Sequence, residues 1–201
     1  MSQRLFGGVG WCDRPDTRQS MFAAFTTVKL LHEMLWYLAE VGERTYDSNH
    51  VDEARSLTNM ITALTASGPE EVLAADVESL HSTVRVLLMD FSEEIRSRYF
   101  AEGDHQDARL TPGADLAEID LRGLPLCGAD LRGACLIAAD LRHCDLTGVD
   151  LLGADLRDAR VEGADFSGAL FLTQSQVNSA QGDERTRLPA EIGRPRHWNA
   201  K

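Results

Sequence analysis

Aromatic side chains are scarce in this chain: three Trp, three Tyr and seven Phe among 201 residues. Its core must therefore be mainly aliphatic. Basic residues are also in deficit, 20 against 32 acidic ones, leaving a formal net charge of −12. A surface of that sign repels nucleic acid and anionic membrane, so direct binding to either is not expected. Four cysteines (Cys12, Cys127, Cys135, Cys144) are too few for a disulfide-stapled secreted scaffold. Long apolar runs are missing too. The most apolar stretch, Met21 to Val41, is interrupted by Lys29, His32, Glu33 and Glu40, each costly in hydrocarbon. The opening MSQRLFGGVGWCD has no continuous apolar segment of the kind a signal peptide needs, so a cytoplasmic location is expected.

What the sequence does have is a repeat. Residues 114–173 divide without a gap into twelve units of five. The third position of each unit reads Leu116, Leu121, Leu126, Leu131, Leu136, Leu141, Leu146, Leu151, Leu156, Val161, Phe166 and Phe171. The first position is Ala in eight units, the second Asp in eight, and the fifth Gly in seven. A period of five suits neither an α-helix nor a long strand. Within a unit, small–Asp–Leu alternates in, out, in, as a very short strand does, and the glycine lets the backbone turn. Strand plus turn, repeated, winds into a solenoid with a leucine ladder inside.

The run ADLRGACLIAADLRHCDLTGVDLLGADL resembles the pentapeptide repeat family, whose motif is A(D/N)LXX. The resemblance implies a right-handed quadrilateral β-helix with four units per coil, hence three coils: 114–133, 134–153 and 154–173. Ile119 and Leu124, large at the small inward position, are expected to seal the first coil against the preceding segment. Pro125 replaces an outward Asp in that end coil, where a missing backbone donor is best tolerated.

Upstream, apolar spacings of three and four predict helices over about 16–44, 50–66 and 69–100. Met21, Phe25, Val28, Leu31, Leu35 and Leu38 form the stripe of the first; Leu57, Ile61 and Leu64 that of the second. Pro69, Glu70 and Glu71 suit the first turn of the third. Downstream, Thr173 and Gln176 have capping-box spacing, Gly182 is placed to end a short helix, and Val177 and Ala180 are placed to cover the open ladder. The fold class is therefore α+β. A helical domain and linker occupy 1–113, the repeat 114–173, and a capping helix and tail 174–201.

Chemistry is thin. Gly7 to Gly10 lacks the GK[ST] of a phosphate loop. Cys127, Cys135, His143 and Cys144 have zinc-ligand chemistry, but in the five-residue register they point in different directions. The outward Asp residues are evenly spaced, as on a solvated face, and no acid–base pair is evident. Trp36 and Tyr37 read as core. No catalytic, cofactor or metal residues are assigned, and the chain does not read as an enzyme. Two surface features remain. Asp120, Arg122, Asp140 and Arg142 form a polar face; Leu152, Leu170 and Leu172 form an outward apolar patch that needs covering, by the protein's own helices or tail, a homodimer, or a foreign partner. The reading is a non-enzymatic protein-interaction or scaffold module with a protein partner and a homodimer as expectations. The family resemblance supplies an alternative, a DNA mimic that binds a type II topoisomerase (gyrase) and protects it against poisons. Three coils would span only about 14 Å, which matches few base pairs.

Overall fold

The computed structural model describes residues 12–13, 15–99 and 107–199, and the chain falls into two compact units, Met1–Phe91 and Ser92–Lys201. In the first unit α1 (Arg18–Arg44) packs against α2 (Ser48–Ala66) and the short α3 (Pro69–Ala74). A three-residue connection turns α1 into α2, and the Asp47 side chain at its end accepts from Asn49 N at 2.8 Å, satisfying an orphan donor of the new helix. Pro69 sits in the first turn of α3 with Glu70 and Glu71 beside it, as expected. The single helix expected over 69–100 is broken, and α4 begins afresh at Val77 and runs to Arg96. Ala75 is extended (ψ 138°), and the Asp76 carboxylate accepts from Ser79 N at 3.0 Å. A side chain that caps this well competes with continuing the helix. Residue 100 lies outside the described residues.

The buried face of α1 is Met21, Ala24, Leu31, Met34, Tyr37, Leu38 and Val41. Phe25, expected in the stripe, is 54% exposed, while Val28 and Leu35 are half-buried. Apolar residues run almost all the way round this helix, so periodicity alone does not choose the face. Ala24 buries instead, a small residue that lets a neighbour approach closely. The division between the units falls inside α4, after Phe91, and not in the polar segment before residue 113.

In the second unit backbone bonds and parallel bridges recur at twenty residues. Asp115 pairs with Cys135 and Cys135 with Asp155; Asp120 pairs with Asp140 and Asp140 with Arg160; Asp130 pairs with Asp150 and Asp150 with Leu170. Each rung is a single bridge, shorter than the strand foreseen for each unit. Four outward columns result, named here by their second-position residues. The first is Asp115, Cys135, Asp155; the second Asp120, Asp140, Arg160; the third Pro125, Asp145, Asp165; the fourth Asp130, Asp150, Leu170. Among the described residues the third column has no rung between 125 and 145, where Pro125 has no N–H to give.

Ladder residues Leu116 through Phe166 share one buried core with the small first-position residues. Every fifth position from Glu118 to Gly163 has φ between 54° and 73°, which explains the abundance of glycine there and marks Glu118, Ala138, His143 and Asp158 as strained. The second-position Asp has a role that the expectation of a solvated face did not capture. Its side chain accepts the backbone N–H two residues on, as in Asp145 to Thr147 at 2.9 Å and Asp150 to Leu152 at 2.9 Å. Each such bond closes a turn whose donor has no ladder partner.

The register changes at its end. Phe171 takes φ 58° and, although buried, is not part of the coil core; Leu172 enters that core in its place. Beyond it α5 (Gln174–Ser179) carries the anticipated capping box, and Val177 and Ala180 are buried against the core. Gly182 does not end this helix, which caps at Ala180; the glycine instead lies under the Trp198 ring. Gln181 and Arg187 add rungs on Arg160 and Asp165, and Ile192 and Trp198 complete the cover. At the opposite end Ile119 is 36% exposed, so it does not seal the first turn; Leu110, at 2%, is buried in the core there.

Candidate functional site: two charged columns of the coil

The second column carries the expected polar face. Arg122 donates from Nε to Asp120 Oδ1 at 2.9 Å and from Nη2 to Oδ2 at 2.7 Å. Arg142 repeats the arrangement on Asp140 at 2.8 and 2.5 Å. The pairs are stitched between turns: Arg122 Nε is 3.4 Å from Asp140 Oδ2, and Arg160 Nη1 is 3.7 Å from the same oxygen. The bond from Arg122 holds the Asp120 carboxyl well below the usual carboxylate range, and that from Arg142 does the same for Asp140. Asp120 and Arg122 face solvent, so these forks fix geometry more than they add stability. The result is an ordered, alternating set of charges on a rigid frame.

The fourth column is different: both of its carboxylates are buried. Asp130 is 7% exposed and Asp150 0%. Against them lies the end of α4. Ser92, itself fully buried, donates from Oγ to Asp150 Oδ2 at 2.5 Å. Arg96 donates from Nε to Gly128 O at 2.9 Å and sits 3.2 Å from Asp130 Oδ2. Arg132 forks onto Asp130 at 2.8 and 2.5 Å and reaches Asp150 only at 3.5 Å. Burial works against the Asp130 anion, yet the Arg132 bonds and the Arg96 charge outweigh it and keep its pKa low. Asp150 has no such support, and burial pushes its pKa up to about 6. Tyr99 lies over Gly148, so close that a Cβ on that glycine would clash with the ring.

The apolar patch expected at Leu152, Leu170 and Leu172 is not an open surface. Leu170 and Leu172 are buried at 0% and 2%, and Leu152 is half-buried. Leu172 turns inward because Phe171 takes the left-handed conformation. Cys127 and Cys135 are half-buried on different columns, and the buried Cys144 thiol donates to Leu121 O at 3.5 Å, with its pKa pushed to about 11 by burial. His143 lies over Gly163. Gly7 to Gly10 is outside the described residues. Sequence reasoning missed Ser92 and Arg96, although a signal was there: two polar residues four apart, set among Leu88, Phe91 and Ile95 on the buried stripe.

The model for pentapeptide repeats matches residues 113–148 and 134–171, with eight copies. A Bacillus subtilis (strain 168) protein described as "Uncharacterized protein YybG" is 44% identical over 198 residues, 98% of this chain and 70% of that protein. The chain belongs to the pentapeptide repeat family. Solved pentapeptide repeat proteins are also similar. Rfr23 from the cyanobacterium Cyanothece 51142 is 25% identical, covering 44% of this chain and 69% of its own, at a TM-score of 0.30. A protein of the Arabidopsis thaliana thylakoid lumen is 23% identical, covering 48% and 79%, at a TM-score of 0.23. The matching family model is that of a repeat and indicates no catalytic family. Among the described residues of this pentapeptide repeat protein, no helix is long and apolar enough to cross a membrane.

Proposed function

We propose that this pentapeptide repeat protein is a non-enzymatic protein-interaction module of the cytoplasm. Its repeat forms a right-handed quadrilateral β-helix of three coils over 114–173, with α5 as the capping helix. The twenty-residue recurrence of the bridges supports four units per coil. The observation that carries the functional reading is the second column. Asp120, Arg122, Asp140 and Arg142 stand in fixed bidentate pairs on the outside of a rigid coil, with Arg160 and Glu162 continuing the column. Holding long charged side chains in one geometry removes much of the entropy that a partner would otherwise have to remove on binding. Alternating charge of this kind suits a protein surface of complementary pattern. It suits mimicry of a duplex poorly, because each of these carboxylates already holds an arginine, and the column presents no run of bare negative charge.

The test keeps the pairs and inverts their order. A variant carrying Asp120→Arg, Arg122→Asp, Asp140→Arg and Arg142→Asp has unchanged net charge and can pair each arginine again; because it loses the bonds by which Asp120 and Asp140 close their turns, its fold is first verified by circular dichroism and thermal unfolding. Immobilised wild-type chain is expected to retain a specific protein from a bacterial extract, and the inverted variant to lose it. Equal retention by both would remove the column from the reading. Inhibition of gyrase supercoiling at equimolar chain would favour the topoisomerase alternative instead. Size-exclusion chromatography with light scattering tests the homodimer.

A further inference from the structure

The fourth column contains an imbalance that the fold does not require. Two arginines, Arg96 from α4 and Arg132 from the coil, both direct their short contacts to Asp130. Asp150, one turn further on and fully buried, is left with the Ser92 hydroxyl, the Leu152 N–H and a 3.5 Å approach from Arg132 Nε. Leu170 follows it in the column and is uncharged. Of the other charges on this segment, Glu93 is exposed and leans on Arg96 at 3.5 Å, and Glu94 and Arg98 neutralise each other in a pair at 3.0 Å. With Asp150 ionised, the group Glu93, Arg96, Asp130, Arg132 and Asp150 carries one more negative than positive charge. A neutral Asp150 balances it.

We propose that the segment Ser92–Tyr99 is a pH-sensitive latch, held more firmly on the fourth column of the coil when Asp150 is protonated than when it is ionised. The reason is desolvation. An anion in a dry site needs more than one hydroxyl, one amide and one long cationic contact, whereas a carboxylic acid there is satisfied by two or three hydrogen bonds. When Asp150 gains its proton, Oδ2 can donate to Ser92 Oγ, and the hydroxyl proton turns to a carbonyl of its own helix. The 2.5 Å separation suits either direction of donation. Arg96 on Gly128 and Asp130, and Tyr99 over Gly148, hold the same segment through contacts that do not change with this proton.

The sign follows from linkage. Burial places the Asp150 pKa near 6 in the latched state, above the ordinary carboxylate value that it regains on release. Latching is therefore favoured below the released pKa, and the advantage is lost as pH rises through about 6. Between pH 7.5 and 5 the equilibrium should shift about tenfold. Amide hydrogen exchange of residues 92–99 in the full chain, corrected for intrinsic rates, measures it. Wild type should be about tenfold better protected at pH 5, while Asp150→Asn should remain near the acid level at both values. Equal wild-type protection at the two pH values would overturn the proposal. The carboxyl carbon of Asp150 in the wild-type chain, followed by NMR, gives a check independent of any variant. A midpoint between 5 and 7 supports the latch, and one below 4.5 refutes it.

Discussion

At the scale of single residues, the molecule repeats one device: a second-position Asp that folds its own turn and, in several units, holds an arginine two residues on. Its consequences differ with burial. Asp120 is exposed, and losing its partner would be screened by water. Asp130 is enclosed between Arg96 and Arg132, so Asp130→Asn strands two guanidinium groups in a dry site. Destabilisation of about 3 kcal/mol is expected in urea unfolding, and a change below about 1 kcal/mol would mean that the arginines relax to water. Glycine gives a second contrast. Gly148 and Gly153 both have positive φ, but only Gly148 lies under a ring, that of Tyr99. Gly153→Ala should cost about 1 kcal/mol of backbone strain, and Gly148→Ala distinctly more, since the ring must move. Equal costs would show that Tyr99 is not held there. The ladder and the turn glycines could be read from sequence because they recur locally. The burial of Asp130 and Asp150 could not, since it depends on residues more than thirty positions away.

At the scale of elements, α5 shows why local chemistry is legible and its tertiary use is not. The Thr173–Gln176 capping box is visible in four residues, but Gln176 does more than cap. Its Oε1 accepts from Thr173 N at 2.8 Å, while Nε2 donates to Leu151 O at 2.8 Å and Ala154 O at 3.0 Å. Gln176→Ala removes all of these bonds, and a loss of about 2 kcal/mol is expected in the unfolding transition of the coil. Gln176→Glu keeps the cap but sets an acceptor-only carboxylate against the Leu151 and Ala154 carbonyls, so it should cost at least as much as the Ala variant; a Glu variant as stable as wild type would assign the role to the cap alone. The rungs made by Gln181 and Arg187 follow their partners by 21 and 22 residues rather than 20, because a helical turn intervenes. A search by period five therefore stops at the repeat's end. The break between α3 and α4 was hidden for a related reason. The apolar stripe continues across it, and only the capping bond of Asp76 reveals it.

At the scale of the whole molecule, the carboxylates respond to pH in opposite senses. Asp130, Asp140, Asp145 and Asp155 have lowered pKa values, so their contribution is present above the ordinary carboxylate range and disappears as pH falls through it. Asp150, raised to about 6, contributes most below that range and loses its advantage as pH rises past 6. Coil stability should therefore peak near pH 5, with a decline of about 1.4 kcal/mol toward pH 8 that Asp150→Asn abolishes. A monotonic rise from pH 4 to 8 would contradict this assignment. The net charge of −12 pointed away from nucleic acid, but charge alone did not reveal how it is arranged. Arginines on the same turns neutralise much of the coil's outward surface in place.

Every column depends on residues twenty apart lying side by side, and native Cys135 makes this directly measurable. Asp155→Cys places a second thiol on the neighbouring rung, within the Cα separation that a disulfide accepts. Asp140→Cys places one five residues away, on the next column. Mild oxidation followed by peptide mass mapping should link Cys135 to the introduced thiol in the Asp155→Cys chain and not in the Asp140→Cys chain. The reverse pattern, or no intramolecular link in either, would contradict the twenty-residue coil and the charged columns built on it.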